Sequence, residues 1–164
     1  MYNLSCIKNL FNTFMAKSTP VKSKISASDD SLSYSALLND LKREYNLFNF
    51  KPGKKFLFRP PKTIILGPDE PLASLLLLHE LSHALLGHRS FITDIERIKM
   101  ESDAWAKTRE LADKYNIVPD EDFIETQLDT YRDWLHQRSK CKKCGLTRYQ
   151  TRDGIYHCPF CDNA

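Results

Sequence analysis

Nowhere in the 164 residues does an apolar run reach 18 residues, the length a membrane-spanning helix needs. The greasiest stretch, residues 71–86, is interrupted by His79, Glu80 and His83, so no membrane association is expected. Residues 1–15 hold no continuous apolar segment and no small-residue cleavage site, so no secretory signal is expected either. Internal repeats are absent, and residues 1–28 contain four lysines but no acid. A hydrophobic fraction of 41% with 27% charged residues is globular composition, which excludes wholesale disorder and a fibrous repeat. The length allows one ordinary domain and a small appendage, not two full cores.

Charge is segregated. The net charge is +3, but residues 29–137 carry 14 basic and 19 acidic residues, a net of −5, and residues 138–164 carry six basic and two acidic, a net of +4. Basic ends can favour a polyanion such as nucleic acid, although charges of this size are also common on solvated tails.

Residues 1–33, rich in Ser and Lys, read as a flexible basic segment. Ser31 or Ser33 can cap a first helix, on which Tyr34, Leu37, Leu38, Leu41, Tyr45 and Phe48 recur at helical spacing. Five of the eight prolines lie between Pro52 and Pro71 and forbid a long helix there. Residues 55–58 and 62–66 suit two short strands, paired antiparallel across the Arg59-Pro60-Pro61 corner. Asp69-Glu70-Pro71 is a helix-start signal for a second helix running to Leu86 and ending at Gly87. Leucines and alanines surround it, which predicts a buried core helix. A third helix is expected over residues 93–115. A fourth starts after Asp120 with Ile124, Leu128, Tyr131 and Leu135 on one stripe. The expected fold is α+β: a mainly helical domain with a small sheet over residues 34–138, then a metal-bound hairpin over 139–164.

The second helix carries His79-Glu80-Leu81-Ser82-His83. Histidines at i and i+4 stand one turn apart on one face, so both imidazoles can reach a single metal ion. Zinc accepts such nitrogens, and a catalytic zinc takes three protein ligands and keeps a fourth position for water. Glu80, about 100° further round the helix, is poorly placed as a ligand but well placed as the general base for that water. A chance match to the pattern is expected in on the order of 1% of chains with this His and Glu content. Burying three titratable groups unpaired in an apolar helix would also be costly. The third ligand should come from the next helix. There Glu101 shares a stripe with Ile98, Trp105, Thr108, Ala112 and Tyr115, whereas Glu96 and Asp103 fall on polar faces. Glu101 is the candidate, with His88 its rival. Tyr115, His88 and Arg89 are candidates for stabilising an oxyanion.

The segment HELSHALLGH, followed by Glu101-Ser-Asp-Ala-Trp-Ala, resembles the ImmA/IrrE family of metallo-endopeptidases over about residues 34–116. The resemblance implies a zincin-like fold, His79, His83 and Glu101 as zinc ligands, and Glu80 as the catalytic base. It also implies a protein or peptide substrate, such as a helix-turn-helix transcriptional repressor. The chain departs from the family pattern at Trp105, where Asn or Asp is usual, and at Asp103, where Glu is commoner. Spartan/SprT-like proteases also join HExxH to a C-terminal zinc ribbon. Their third ligand is a His beyond the motif, however, and none occurs between His88 and His136.

Four of the five cysteines form Cys141-x-x-Cys144 and Cys158-x-x-Cys161, two knuckles separated by 13 residues. That spacing reads as a closed, structural zinc site, with a hairpin between the knuckles turning at Asp153-Gly154. Such a site needs reduced thiols and so points to a cytoplasmic setting; Cys6 stands apart. Lys140, Lys142, Lys143, Arg148 and Arg152 can offer the hairpin to nucleic acid or protein. Two function classes follow. One is a zinc peptidase with one catalytic and one structural zinc. The other is a non-catalytic zinc-binding module that acts through its basic ribbon.

Overall fold

The computed structural model describes residues 2–3 and 33–162. Most of the expected flexible segment 1–33, Ser31 and Cys6 lie outside the described residues.

Helix α1 (Tyr34–Glu44) is capped by Ser33, whose hydroxyl accepts the Ala36 N–H at 3.3 Å. It buries Leu37 and Leu41 completely. The helix ends four residues before Phe48, short of the sequence expectation. The chain turns at Tyr45, which leaves Phe48 packed on the core from the turn and sends residues 49–52 into the sheet. That strand, β2 (Asn49–Pro52), lies parallel to β4 (Thr63–Leu66), which also pairs antiparallel with β3 (Leu57–Arg59), for a strand order β2-β4-β3. The expected antiparallel pair is present. The sequence reading missed β2 because an edge strand reading Asn-Phe-Lys-Pro, with three of its four residues exposed, has no alternating apolar pattern. A further short strand, β1 (Tyr2–Asn3), pairs antiparallel with β5 (Ser90–Phe91).

Helix α2 (Ala73–Leu85) begins later than Asp69-Glu70-Pro71 suggested. Leu72 adopts a left-handed conformation, φ 72°, and has no side-chain cap. Its side chain packs beside Leu75, Trp105, Ile124 and Leu128, and that burial offsets the roughly 1–2 kcal/mol cost of a non-glycine residue at positive φ. From Leu77 to Ala84 every residue of α2 is buried. Helix α3 (Asp94–Lys114) starts with a capping box between Thr93 and Glu96, and α4 (Glu121–Ser139) is capped by Asp120.

Among the described residues the result is a mixed helix-and-sheet chain with four helices and a small sheet. Helices α1 to α3 and the three-stranded sheet share the main core around Leu37, Leu41, Ile64, Leu77, Leu78 and Leu81. A second cluster joins α2, α3 and α4 through Leu75, Trp105, Ile124 and Leu128. After α4, strands β6 (Tyr149–Gln150) and β7 (Tyr156–His157) form the expected hairpin, with Gly154 at φ 86° in its turn. No described helix is long and apolar enough to cross a membrane.

Candidate metal centres

The spacing of His79 and His83 on α2 brings their Nε2 atoms within 3.2 Å of each other. Helix α3 lies against this face, joined to α2 where the Ser82 and Thr108 hydroxyls meet at 3.1 Å. It presents Glu101 Oε2 at 3.5 Å from His79 Nε2 and 3.4 Å from His83 Nε2. Donors at about 2.0–2.1 Å from a tetrahedral zinc stand about 3.3 Å from one another. The three atoms thus have the spacing of one face of such a tetrahedron. All three residues are at most 5% exposed, and burying carboxylates beside neutral imidazoles is costly unless a cation offsets them. The donor set fits a divalent ion and is compatible with zinc.

Two side chains, His88 and Trp105, hold the histidines in place. Gly87, at φ 67°, ends α2 in a Schellman turn: its N–H reaches the Ala84 carbonyl at 3.2 Å and the His88 N–H reaches the His83 carbonyl at 3.0 Å. This reversal folds His88 back, so that its Nδ1 lies 2.8 Å from His83 Nδ1. Burial, reinforced by His83, lowers the His88 pKa to about 4. Its imidazole is therefore neutral and can accept the His83 Nδ1–H, leaving His83 Nε2 as the donor to metal. His88, the rival third ligand, instead supports a ligand from behind. On the other side Trp105 stacks on His79, centroids 3.9 Å apart and planes 25° apart. Burial lowers the His79 pKa as well, which keeps that ring neutral and able to ligate.

Glu80 points the other way, to the sheet. Its Oε2 accepts the Phe58 N–H of edge strand β3 at 2.5 Å, and its charge is close enough to raise the His79 pKa against the stronger effect of burial. The carboxylate, next in the chain to His79, is thus oriented by β3. The oxyanion candidates divide. The Tyr115 hydroxyl donates to Glu44 at 2.8 Å, at the far end of α3, and Arg89 is exposed beyond Gly87. Only His88 is at the site. The sequence reading gave Tyr131 no place at this site. It is buried on α4, with the Arg97 guanidinium over its ring at 5.0 Å. Burial, helped by Glu101, pushes its pKa well above the ordinary value. Its place on the apolar stripe of α4 was legible, and a buried tyrosine hydroxyl needs a partner; that requirement was the available signal.

The second centre gathers Cys141, Cys144, Cys158 and Cys161, their sulfurs all within 4.8 Å of one another. Cys141 and Cys161 are 3.9 Å apart, and Cys144 and Cys158 3.5 Å. These separations far exceed the roughly 2.05 Å of a disulfide. They bracket the roughly 3.8 Å edge of a tetrahedron with zinc–sulfur bonds of about 2.3 Å. The backbone N–H groups of Cys144 and Lys143 pull the Cys141 thiol down to about 6. Its neighbours, Cys144 first, push Cys161 up to about 12. Four sulfurs this close cannot all ionise without a cation among them. The cluster is compatible with a zinc ribbon.

The hairpin is seated on the N-terminus of α3. Asp94, 1% exposed, accepts from Arg138 Nε at 2.6 Å and from the Tyr156 hydroxyl at 2.8 Å through Oδ2, while its own N–H donates to Gln150 at 2.7 Å. A Cβ on Gly154 would meet the Ile92 carbonyl at 2.7 Å, so only glycine allows this approach. The chain matches no family model, no curated protein and no solved structure.

Proposed function

We propose that this chain is a zinc-dependent metallo-endopeptidase. The observation that carries the reading is the triangle of His79 Nε2, His83 Nε2 and Glu101 Oε2 with the Glu80 carboxylate beside it and fixed to an edge strand. His79, His83 and Glu101 would hold a zinc ion, which would supply a Lewis acid for a scissile carbonyl and for water. Glu80 would serve as the general base, with a carboxylate able to accept a proton and to return it to a leaving amine. Tyr131 and His88 orient Glu101 and His83, and Trp105 excludes water from the His79 face. The resemblance to ImmA/IrrE peptidases supports the same roles and suggests a regulatory protein, such as a repressor, as substrate in the cytoplasm. The four cysteines hold a second, structural zinc.

A second reading rests on the hydrogen bond from Phe58 to Glu80. A carboxylate held by the backbone and 3% exposed also suits a closed, non-catalytic zinc module. Glu80→Gln separates the two. Gln still accepts the Phe58 N–H and leaves His79, His83 and Glu101 in place, but it cannot take a proton. Peptidase function predicts two zinc ions per chain in both proteins, by elemental analysis. It also predicts cleavage of a peptide library, read by mass spectrometry, that falls by about 10² or more in the variant. Equal cleavage by both proteins, or none by the parent with two zinc ions bound, defeats the peptidase reading.

A further inference from the structure

Beyond the peptidase centre, the last turns of α4 and the first knuckle of the hairpin enclose an open cleft of about 440 Å³, a volume within the range of small-ligand sites. Arg138, Lys140, Lys142 and Arg148 line it together with Trp134 and Tyr156. Arg138 is engaged by Asp94. Among the described residues no carboxylate lies within ion-pair distance of Lys140, Lys142 or Arg148, and Arg148 Nε is buried without a hydrogen-bond partner. A cleft that keeps three cations without counter-ions is suited to an anionic ligand.

The arrangement of the planar groups narrows the ligand. The Arg138 guanidinium lies over Trp134 at 5.1 Å and over Tyr156 at 5.9 Å, and Arg148 lies over Tyr156 at 4.9 Å. These side chains form a ladder of alternating rings and guanidinium planes. Each rung is fixed: Arg138 and the Tyr156 hydroxyl by Asp94, and Arg148 by its Nη2 donation to the Arg138 carbonyl at 2.7 Å. Arg97 also lies over Trp134, at 4.8 Å, so the uncovered end of the ladder is the Arg148 plane. An acidic peptide would use the cations and leave that plane idle. A nucleobase stacks on aromatic rings or arginine planes while its phosphates meet lysine.

We infer that the cleft between α4 and the cysteine hairpin binds single-stranded nucleic acid, stacking a base on the Arg148 end of the Trp134–Arg138–Tyr156–Arg148 ladder and pairing the flanking phosphates with Lys140 and Lys142. The site belongs to the folded hairpin, because Cys141 forms part of its wall. None of His79, His83 and Glu101 lines it.

The test uses the full-length, zinc-loaded chain and a fluorescein-labelled 12-nucleotide single strand, as DNA and as RNA, followed by anisotropy at 50 and 200 mM salt. Binding should weaken steeply with salt, and the Lys140→Glu/Lys142→Glu protein should bind at least tenfold more weakly with a shallower salt slope. Arg148→Ala, which removes the uncovered plane, should bind both strands about tenfold more weakly than the parent. Melting temperature and zinc content check that each variant is folded; if charge reversal unfolds the chain, Lys140→Gln/Lys142→Gln replaces it, with a smaller loss expected. The proposal is overturned if neither strand binds at 50 mM salt, or if the lysine variants bind as the parent does. It is also overturned if a polyglutamate peptide or a duplex of equal length displaces the probe as well as unlabelled single strand does.

Discussion

Trp105 lies flat on His79, their ring centroids 3.9 Å apart. The tryptophan is itself braced edge-on by Phe123 of α4 at 6.1 Å, so α4 acts on the metal-ligand face through two rings in series. Trp105→Ala removes a buried side chain at a cost of about 3–5 kcal/mol and lets the His79 ring turn. Trp105→Phe keeps an aromatic face and should cost less. Thermal melting should rank the parent above Trp105→Phe and Trp105→Phe above Trp105→Ala. Zinc affinity, from competition with a chromophoric chelator, should follow the same order. A Trp105→Ala protein that binds zinc as tightly as the parent would leave the ring with a packing role alone.

Trp105 also shows where reading the chain alone stopped. Its place on the stripe with Glu101 was legible from the spacing, because helical periodicity is a local property. That its ring stacks on a ligand depends on how α2 and α3 pack, which no single helix encodes. Both candidate metal centres were legible for the same local reason: His79/His83 and the two Cys-x-x-Cys pairs are each fixed by one turn of chain. Strand β2 and the positive φ of Leu72 were not, since β2 is defined by its pairing with β4 and Leu72 by the cluster it joins. Asp94 reads as a first-turn acid that favours the helix dipole, yet it is buried as the seat of the hairpin.

The Schellman turn should support the candidate metal site through His88. His88→Ala removes the group behind His83 Nδ1, and losing such a partner typically weakens metal binding 10- to 100-fold. Gly87→Ala leaves His88 present but strains φ 67°, at about 1 kcal/mol; since nothing lies within 4 Å of the added methyl, the effect is conformational. Zinc titrations on both variants should show weaker binding, larger for His88→Ala. Unchanged affinity in both would remove His88 from the site's support.

Acid should destabilise the fold in a defined window. Burial lowers the pKa of His79, and that of His88 to about 4, whereas an unfolded histidine protonates near 6.5. Between these values the unfolded chain binds protons that the folded one refuses, so stability falls as pH drops from about 6.5 toward 4. His88 is half-buried, and solvent screening limits its share to on the order of 1 kcal/mol. Melting temperatures from pH 7.5 to 4.5 should decline through that window. The decline should be shallower in His88→Gln, which cannot titrate.

Asp94 should decide whether the hairpin stays on the domain. Its Oδ2 receives both Arg138 and Tyr156, one from the end of α4 and one from β7. Asp94→Ala leaves the half-buried Tyr156 hydroxyl and the Arg138 guanidinium without their acceptor. Because Arg138 is 41% exposed and can turn to water, the cost is about 2 kcal/mol rather than that of a fully buried ion pair. The four cysteines do not involve Asp94, so zinc stoichiometry should stay at two. Backbone hydrogen exchange should speed up over residues 149–157 and at the start of α3, with Leu77–Ala84 protected as before. Loosening that spread through α2 as well would show instead that Asp94 supports the whole domain and not only the seating of the hairpin.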